Sequence, residues 1–324
     1  MIKAPLLAAT SLASLLLALT PAHALLNRAW VSGHGTDAAG CGAPASPCRT
    51  LQYVVSNVIA AGGEIDVLDP AGYGAVTITK ALSIVNDGVG TAGVQATSGN
   101  AITINAGASD NVTLRGLNID GLGTGANGIE FDAGGSLTVV DCVIRHFFNN
   151  SALGSSGNGL MIRTTSGPMT FNISNVIASD NGFAGVSFQP QSAAANATGA
   201  IDHLKAFNNG YGVLLQAIGA GSASIALSNS IMSNNASGVA IGASSAAYIV
   251  SIDNSSMTGN TGIGLEVGDG DPTVLLGRSV IVSNAQYGVL NNTSPSSLYT
   301  YGDNRINGNG TDVSSPLNTV DKPQ

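Results

Sequence analysis

Two carboxylates and one guanidinium stand where they can act together on a substrate. Glu130 and Asp132 lie two residues apart in GIEFDAG, and Arg163 occupies a similar place in the later stretch GLMIRTT. A carboxylate can serve as a general base, and a cation can hold an acidic group of the substrate while a proton is removed. We interpret these three residues as candidate catalytic residues. The alternative is an ion pair on the protein surface, which contributes little to stability.

Two glutamines extend the same candidate site. Gln189 in GVSFQPQ and Gln216 in GVLLQAI stand four residues after a glycine, as Asp132 and Arg163 do. Apolar residues occupy the first and third positions after each such glycine except the last, Gly288, where the third position is Asn291; this alternation predicts a strand with one buried face. The second and fourth positions should then face outward. We expect the glutamines to continue the row as substrate-binding residues. The second position holds Glu130, Met161, Ser187, Leu214, Ala240, Glu266 and Leu290, and the fourth holds Asp132, Arg163, Gln189, Gln216, Gly242, Gly268 and Asn292.

The glycine that precedes these positions recurs at a nearly constant interval. It is found at residues 128, 159, 185, 212, 238, 264 and 288. A second apolar run, rich in Val and Ile and too short for a helix, precedes each glycine. A unit this short cannot bury its own apolar face and must stack on copies of itself. The sequence therefore predicts a solenoid of short β-strands.

Two columns of polar residues repeat with the same period. The first contains Asn181, Asn209, Asn235, Asn260 and Asn284, and the second contains Asn175, His203, Asn229, Asn254 and Arg278. Asparagine tolerates left-handed turn conformations, and its amide can bond to copies of itself above and below. We predict that the first column is a hydrogen-bonded ladder and that both columns mark turns.

Composition and charge exclude some functions. The chain of 324 residues has only 9% charged residues, 11 Lys and Arg, and a formal net charge of −8. Binding nucleic acid requires clustered cations to neutralise phosphates, and the sequence has no such cluster. We therefore expect no nucleic acid partner.

The N-terminal residues 1–24 have the layout of a secretory signal peptide. One basic residue, Lys3, precedes an apolar run that ends at Leu19, and Ala22-His23-Ala24 offers a cleavage site. A membrane anchor is the alternative, but the run is shorter than the roughly 20 residues of a membrane span. We predict cleavage near Ala24, a secreted or periplasmic protein and no membrane span.

The three cysteines have different expected states. Cys41 and Cys48 flank a Pro/Ala-rich loop, and export would permit a disulfide between them. Cys142 lies in the apolar run LTVVDCVI, where a buried free thiol is expected.

With its coil length, asparagine columns and glycine-led strands, the chain resembles right-handed parallel β-helix proteins of the pectin-lyase-like superfamily. The resemblance runs from about Gly63 to Gly310 and implies an all-β, single-stranded right-handed solenoid. The N-terminal stretch resembles the lead-in of secreted members, in which a short helix caps the core. Helical spacing supports such a helix, with Gly62-Gly63 as its stop. The residues at that spacing are Leu51, Val54, Val55, Val58 and Ile59.

The resemblance also implies sites that can be compared residue by residue. Polygalacturonase-like members carry a paired Asp-Asp and a Gly-His-Gly; this chain has Gly33-His34-Gly35 ahead of the coils and no Asp-Asp. The segment with Asp202 and His203 resembles the Trp-Ile-Asp-His of pectate lyases. No carboxylate follows closely enough to complete a calcium site, so we interpret His203 as a turn residue.

Two further pairs of polar residues can be weighed in the same way. Arg115 and Asp141 align on neighbouring coils, and this alignment predicts an ion pair on the surface. Asp269 and Asp271 in GDGDP offer a weak calcium site or a polar loop. Calcium is thus the one possible cofactor, and no metal ligand is assigned.

We divide the chain into a signal peptide (1–24), an N-terminal cap (25–62), a β-helix (63–310) and a C-terminal tail (311–324). The first functional hypothesis is a secreted, monomeric, non-catalytic protein that binds polysaccharide or cell-surface glycan. The second is a polysaccharide lyase-like enzyme that acts on acidic polysaccharides through Glu130, Asp132 and Arg163.

Overall fold

A computed structural model shows the architecture of the chain. It describes residues 24–148, 156–165, 167–192, 195–217, 221–243, 248–268, 270, 272–292 and 297–320. The predicted signal peptide therefore lies, up to residue 23, outside the described residues.

Short strands make up nearly all of the regular structure. The first sixteen strands are β1 (Leu26–Val31), β2 (Ile59–Val67), β3 (Ala71–Gly72), β4 (Val76–Ile78), β5 (Leu82–Val85), β6 (Ala92–Gln95), β7 (Ile102–Asn105), β8 (Asn111–Arg115), β9 (Leu117–Asp120), β10 (Asn127–Ala133), β11 (Ser136–Val140), β12 (Val143–Arg145), β13 (Asn158–Ile162), β14 (Met169–Ser174), β15 (Ile177–Ser179) and β16 (Ala184–Phe188). The others are β17 (Ala197–Asp202), β18 (Lys205–Phe207), β19 (Tyr211–Ala217), β20 (Ala223–Ser228), β21 (Ile231–Ser233), β22 (Ser237–Ala243), β23 (Tyr248–Asp253), β24 (Ser256–Thr258), β25 (Ile263–Val267), β26 (Thr273–Gly277), β27 (Val280–Val282), β28 (Tyr287–Asn291), β29 (Leu298–Thr300), β30 (Arg305–Asn307), β31 (Thr311–Val313) and β32 (Asn318–Thr319). Among the described residues one helix, α1 (Leu51–Asn57), lies between β1 and β2.

The strands form three parallel sheets that enclose one core. The first sheet has the order β1-β2-β5-β8-β11-β14-β17-β20-β23-β26-β29-β32. The second has the order β3-β6-β9-β12-β15-β18-β21-β24-β27-β30, and the third runs from β4 through β7, β10, β13, β16, β19, β22, β25 and β28 to β31. Neighbours in each sheet come from successive repeats and pair in parallel, for example β16 with β19. The predicted all-β parallel solenoid is confirmed.

The repeated glycine is required where coils approach each other closely. A Cβ atom at Gly212 would lie 2.6 Å from the carbonyl oxygen of Gly238 and 2.8 Å from Cγ of the buried Met232. A larger side chain would therefore force neighbouring coils apart. The residues that follow, such as Val213 and Leu215, are fully buried, as the alternation predicts.

The first asparagine column forms the predicted ladder inside the structure. The backbone N–H and side-chain amide of Asn209 both donate to Oδ1 of Asn235, at 2.9 and 3.1 Å. Asn235 repeats both contacts with Asn260. Because these side chains are buried, the ladder satisfies backbone donors that water cannot reach.

The second column occupies exposed turns in the left-handed conformation. His203 and Arg278 have φ angles of 52° and 48°, and the asparagines of the column have φ angles from 46° to 52°. Few residues other than glycine and asparagine adopt this conformation readily. Their shared backbone geometry explains why the column keeps the same period as the ladder.

The N-terminal end is covered by a disulfide loop and the helix. Cys41 and Cys48 are bonded, as predicted. The loop lies along the free edge of β1: the Trp30 N–H donates to the Gly42 oxygen, and the Cys48 N–H donates to the Trp30 oxygen, both at 3.0 Å. This pairing closes an edge that could otherwise bind another strand. α1 buries Leu51 on the end of the core.

The boundaries of the cap differ from the sequence expectation. α1 ends at Asn57, so Ile59 belongs to β2 rather than to the helix, and the Gly62-Gly63 stop lies inside β2. Strand pairing prevails over helical spacing here, because the Leu26 N–H already donates to the Val58 oxygen at 2.7 Å. At the other end, the segment expected to be a tail contains β31 and β32.

Candidate functional site

The structure brings Glu130, Asp132 and Arg163 together on the outer side of the third sheet. Glu130 and Asp132 lie on β10, and Arg163 directly follows the neighbouring strand β13. Arg163 Nη1 is 3.6 Å from Glu130 Oε1, and Arg163 Nε is 3.8 Å from Asp132 Oδ1. One guanidinium thus contacts two carboxylates, so the cluster carries a net charge of −1 when both are ionised.

Glu130 is held in place by an amide network. The Asn127 side-chain amide donates to Glu130 Oε2 at 2.8 Å. The Asn158 amide donates to Asn127 Oδ1 at 2.9 Å. All three side chains are buried. Asn127, which lies on the same strand as Glu130, thus fixes the orientation of the Glu130 carboxylate. Arg163 contacts that carboxylate from the next coil.

Asp132 has a raised pKa in this cluster. Burial is the largest cause that raises the pKa of Asp132 to about 6; the negative charge of the nearby Glu130 adds to this shift, and the positive charge of Arg163 opposes it. A carboxylate with a pKa near 6 can accept a proton under mildly acidic conditions.

The predicted row continues across the sheet, but its members differ in exposure: Gln216 is exposed, whereas Gln189, expected to face solvent, is buried with 5% of its surface exposed. Gln189 and Gln216 directly follow the paired residues Phe188 and Leu215. The Gln189 amide donates to Gln216 Oε1 at 3.4 Å. We call Asp132, Arg163, Gln189 and Gln216 the polar row. Its members occupy successive strands, about 4.8 Å apart.

The second-position column differs from the expectation of a solvent-facing surface. Glu130 is 9% exposed, and Met161 and Ser187 are fully buried. Leu214 and Ala240 pack into an apolar cluster that is separate from the core. These side chains do face away from the core, but other groups cover them. Sequence alternation distinguishes inward from outward positions and carries no information on such covering.

An aromatic pair extends the apolar cluster. The rings of Phe183 and Tyr211 meet edge to face, with centroids 5.6 Å apart. Both pack against the cluster on the outer side of the third sheet. Residues 149–155, within the stretch FFNNSALGSSGNG, lie outside the described residues.

The other predicted pairs are architectural. Arg115 contacts Asp141 at 3.6 Å and Asp87 at 3.1 Å, and these side chains are largely exposed, as expected of a surface ion pair. Asp202 accepts hydrogen bonds from Asn229 at 2.7 Å and from His203 at 2.5 Å. Bonds from Asn229, His203 and Ser228 lower the pKa of Asp202 to about 2. His203 thus lies in the turn column, as we interpreted it.

The Gly33-His34-Gly35 segment is held by a carboxylate of the first coils. Asp69 accepts hydrogen bonds from the Gly33 N–H at 2.6 Å and from Tyr73 Oη at 2.8 Å. His34 is exposed. The segment anchors the cap to the solenoid.

The third cysteine is buried and unpaired. Cys142 is fully enclosed in the core, as predicted. Burial raises the pKa of its thiol to about 12. The thiol is therefore protonated and unreactive at neutral pH.

The possible metal positions within the described residues do not fit calcium. Asp269 and Asp271 lie outside the described residues. Calcium takes six to eight oxygen ligands, whereas Arg163 already neutralises part of the Glu130 and Asp132 pair. Elsewhere in the described chain, ligand atoms of Asp37, Cys41 and Cys48 lie within 4.8 Å of one another, but the two cysteines are bonded as a disulfide.

Sequence reasoning missed a groove on the outer face of the first sheet. The groove has a volume of about 360 Å³. Its polar lining comes from Thr170, Asn196, Thr198, Ser222 and Ser224, and Pro168, Met169, Ala197, Ala223 and Ile249 complete it. The sequence does indicate the residues at the bottom of the groove, because exposed positions alternate with buried ones along β14, β17 and β20. Its wall comes from loops that show no repeat.

Within the described residues, no helix has the length and apolar character that a membrane crossing requires.

Comparisons with known proteins support the fold. No protein-family model and no curated protein sequence matches the chain. Among solved structures, pectate lyase Pel9A is similar with a TM-score of 0.55 and 14% identity, covering 92% of this chain and 79% of that one. The A-modules of the Azotobacter vinelandii mannuronan C-5 epimerases AlgE4 and AlgE6 give TM-scores of 0.41 and 0.40. Both are 15% identical, cover 81% of this chain, and are themselves covered to 89% and 91%. The protein therefore has the right-handed parallel β-helix fold that its resemblance to pectin-lyase-like proteins implies.

Proposed function

We propose that the protein binds carbohydrate at the polar row and does not cleave it. The observation that carries the proposal is the row itself: four hydrogen-bonding side chains stand on successive strands of one rigid sheet. Gln189 and Gln216 bond to each other at 3.4 Å, and Arg163 lies 3.8 Å from Asp132. A polymer with a repeated hydroxyl pattern can contact the three accessible members, Asp132, Arg163 and Gln216. Gln189 is buried and holds the Gln216 amide in place.

The chemical character of the row suits sugar hydroxyls. A carboxylate and two amides can accept hydrogen bonds, and the guanidinium and the amides can donate them. The flanking pair Phe183 and Tyr211 offers apolar ring surface on the same side of the sheet. Sugars combine hydroxyl edges with apolar faces, so both kinds of surface can be used.

The geometry disfavours hydrolysis. Glycosidases place two carboxyl groups about 5 to 9.5 Å apart so that the scissile bond fits between them. Glu130 and Asp132 instead both contact the guanidinium of Arg163, at 3.6 and 3.8 Å. A glycosidic bond placed between the two carboxyl groups would have to displace this guanidinium.

A lyase-like reaction on an acidic polysaccharide is the second candidate. Its support is Asp132, whose pKa of about 6 suits a base, and the pectate lyase Pel9A fold. In this scheme Asp132 removes a proton beside the substrate carboxylate while Arg163 holds that carboxylate. Glu130 opposes the scheme, because its charge competes for Arg163 and repels an anionic substrate.

One experiment separates binding from cleavage. The mature protein is incubated, with and without calcium, with neutral and acidic polysaccharides, and bound polymer, ultraviolet absorbance and reducing ends are measured. Binding without new ends supports the proposal. Unsaturated products that disappear in Asp132→Ala and Arg163→Ala support the lyase candidate. If no polymer is bound and no products form, both candidate functions are refuted.

Matched variants locate the binding site. Gln216→Ala removes the exposed amide of the polar row and should weaken glycan binding about tenfold, the loss of one or two hydrogen bonds. Arg115→Ala is the control. It removes an arginine of the first sheet that pairs with a carboxylate, as Arg163 does on the third sheet, and it should leave binding unchanged. Equal effects of the two variants would show that the row is not the site.

The proposed location is outside the cytoplasm. The bonded Cys41 and Cys48 require an oxidising compartment to persist. Residues 1–24 would direct export, after which the mature chain would begin near Leu25 as a monomer. Mass spectrometry of the protein recovered from the periplasm or medium tests the cleavage, and a mass that includes residues 1–24 would contradict it.

A further inference from the structure

One carboxylate of the third sheet has no partner within the described chain. The sequence has three glutamates, and Glu64 contacts Arg28 at 3.2 Å. Glu130 contacts Arg163 at 3.6 Å. Glu266, on β25, makes no hydrogen bond or ion pair with any residue that the structure describes, although it is only partly exposed. A carboxylate that loses hydration without gaining a partner is costly, so Glu266 requires a cation that the protein does not itself supply.

Glu266 lies beside a notch in the outer surface of the sheet. Its neighbours on the adjoining strands are Ala240 and Leu290. Gly242 and Gly268 lie two residues further along, at the next outward positions. We call these five residues the Glu266 notch. We infer that the Glu266 notch binds an alkylammonium group, which is a protonated amine at the end of an aliphatic chain. The inference does not rest on the proposed function and is tested separately.

The two glycines leave a space that the fold does not demand. Among the described atoms, a Cβ at Gly242 would have only Gln216 Cγ within 4 Å, at 3.9 Å, and a Cβ at Gly268 only the Ile241 oxygen, at 3.6 Å. These are ordinary contacts, unlike the 2.6 Å approach at Gly212, and neither glycine has φ in the left-handed region. A larger residue could stand at either position without strain. The open space is therefore a feature of the surface rather than a requirement of coil stacking.

The notch combines one negative charge with apolar sides. Ala240 belongs to the apolar cluster on the outer side of the sheet, and Leu290 is partly exposed. An ammonium group can donate to the Glu266 carboxylate while its aliphatic chain contacts these two side chains. Hydrogen bonds between charged groups are about twice as strong as neutral ones. A lysine side chain and a free aliphatic amine share this chemistry.

Other occupants fit the notch less well. A divalent metal requires several oxygen ligands, whereas Glu266 is the one carboxylate on β22, β25 and β28 as the structure describes them. An anion would be repelled by Glu266 and by the net charge of −8. A neutral ligand would leave the carboxylate unpaired. Arg163 cannot serve as the cation, because it follows a strand four steps away in the sheet, about 19 Å.

The charge of Glu266 links binding to pH. Burial raises the pKa of the Glu266 carboxyl above its usual range. A bound ammonium favours the ionised carboxylate, so it should lower that pKa, and by the same linkage the amine should dissociate as pH falls through it. Tyr287 on β28 is the other titratable group in the described parts of the three strands. Asp269 and Asp271 follow β25 and lie outside the described residues.

Carbon-13 NMR of the mature protein tests the inference. Butylammonium and Nα-acetyl-lysine amide are the amine probes, and butan-1-ol and the Nε-acetylated lysine amide are their uncharged counterparts. We expect the amines to shift the methyl signals of Ala240 and Leu290 and to lower the pKa of Glu266. Tighter binding of butylammonium would assign a free amine as the ligand, and tighter binding of the lysine derivative a protein side chain. Absence of shifts with both amines, or equal shifts with the uncharged probes, would overturn the inference.

Two substitutions in the notch separate a binding role from a structural one. Glu266→Gln keeps the shape of the side chain and should weaken butylammonium binding about tenfold or more. It should also raise the melting temperature at pH 8, because a carboxylate without a partner is replaced by a neutral group. Gly268→Val fills the notch and should abolish the shifts while the circular dichroism spectrum is retained. Undiminished binding in both variants would refute the site, and a lowered melting temperature in Glu266→Gln would indicate a structural role instead.

Two further variants serve as controls. Glu64→Gln removes a glutamate that is already paired with Arg28, and it should leave amine binding unchanged. Gln216→Ala removes the exposed amide of the polar row and should leave amine binding intact even where it weakens glycan binding. Amine binding that is lost equally in Glu64→Gln and Glu266→Gln would reflect the overall charge of the protein and would refute the notch.

Discussion

The asparagine ladder should be a principal source of stability, and Asn235→Ala tests this. Asn235 is buried and makes side-chain contacts with both neighbouring coils. It accepts from the Asn209 N–H at 2.9 Å and donates to the Ala206 oxygen at 3.1 Å and to Asn260 Oδ1 at 3.3 Å. Alanine removes these contacts without straining the backbone.

The magnitude follows from what the substitution leaves unpaired. The buried Asn209 N–H loses its acceptor, which costs about 1–3 kcal/mol, and each of the other bonds lost contributes about 1 kcal/mol. The expected loss in the free energy of unfolding is about 3–5 kcal/mol. This is a large fraction of the 5–15 kcal/mol that a typical domain possesses.

Urea unfolding followed by far-ultraviolet circular dichroism measures this loss. Asn229→Gly is the matched control: it also removes an asparagine that bonds to two coils, at 2.7 Å to Asp202 and 2.7 Å from Asn254, but at an exposed turn. Water replaces these partners, and glycine tolerates the φ of 49°, so a loss below about 1 kcal/mol is expected. Equal losses in the two variants would refute the reasoning.

Three other substitutions test separate parts of the structure. The fold raises the pKa of Asp132 to about 6, so its favourable contribution is present below about pH 4 and lost as pH rises through 6. The difference in unfolding free energy between Asp132→Asn and the wild type should therefore move in favour of the variant by about 1 kcal/mol between pH 4 and pH 8. This is less than the full shift implies, because the Asp132 side chain is 37% exposed. Cys41→Ala with Cys48→Ala should cost about 2–3 kcal/mol through the released loop, measured by urea unfolding under oxidising conditions; no loss would contradict the closure argument. Gly199→Ala should lower the melting temperature sharply, because the new Cβ would lie 1.9 Å from the Phe171 ring; an unchanged melting temperature would mean that the ring moves freely.

The repeat made the fold predictable from sequence because each coil imposes the same constraints. A glycine such as Gly212 must pass close to the next coil, and an asparagine such as Asn209 must satisfy buried backbone groups. Both requirements act through nearest neighbours, so they leave a period in the sequence. The Asp132–Arg163 contact was predictable for the same reason: equal positions on adjacent coils lie side by side.

The remainder depends on contacts that have no period. Ser187 and Met161 occupy outward positions and are nevertheless fully buried, since what covers a sheet depends on irregular segments. The groove of the first sheet was missed because its wall at Asn196 and Ser222 belongs to loops whose path the repeat does not determine. The helix was expected to extend to Ile59, but it ends at Asn57 because the residues that follow pair with β1.

A crystal structure of the mature protein with the oligosaccharide it binds most tightly tests the central claim most directly. The account predicts a sugar lying along the third sheet, with hydroxyl groups within hydrogen-bond distance of Gln216 and the Asp132–Arg163 pair. A bound sugar elsewhere, with the polar row bare at saturating ligand, would contradict it.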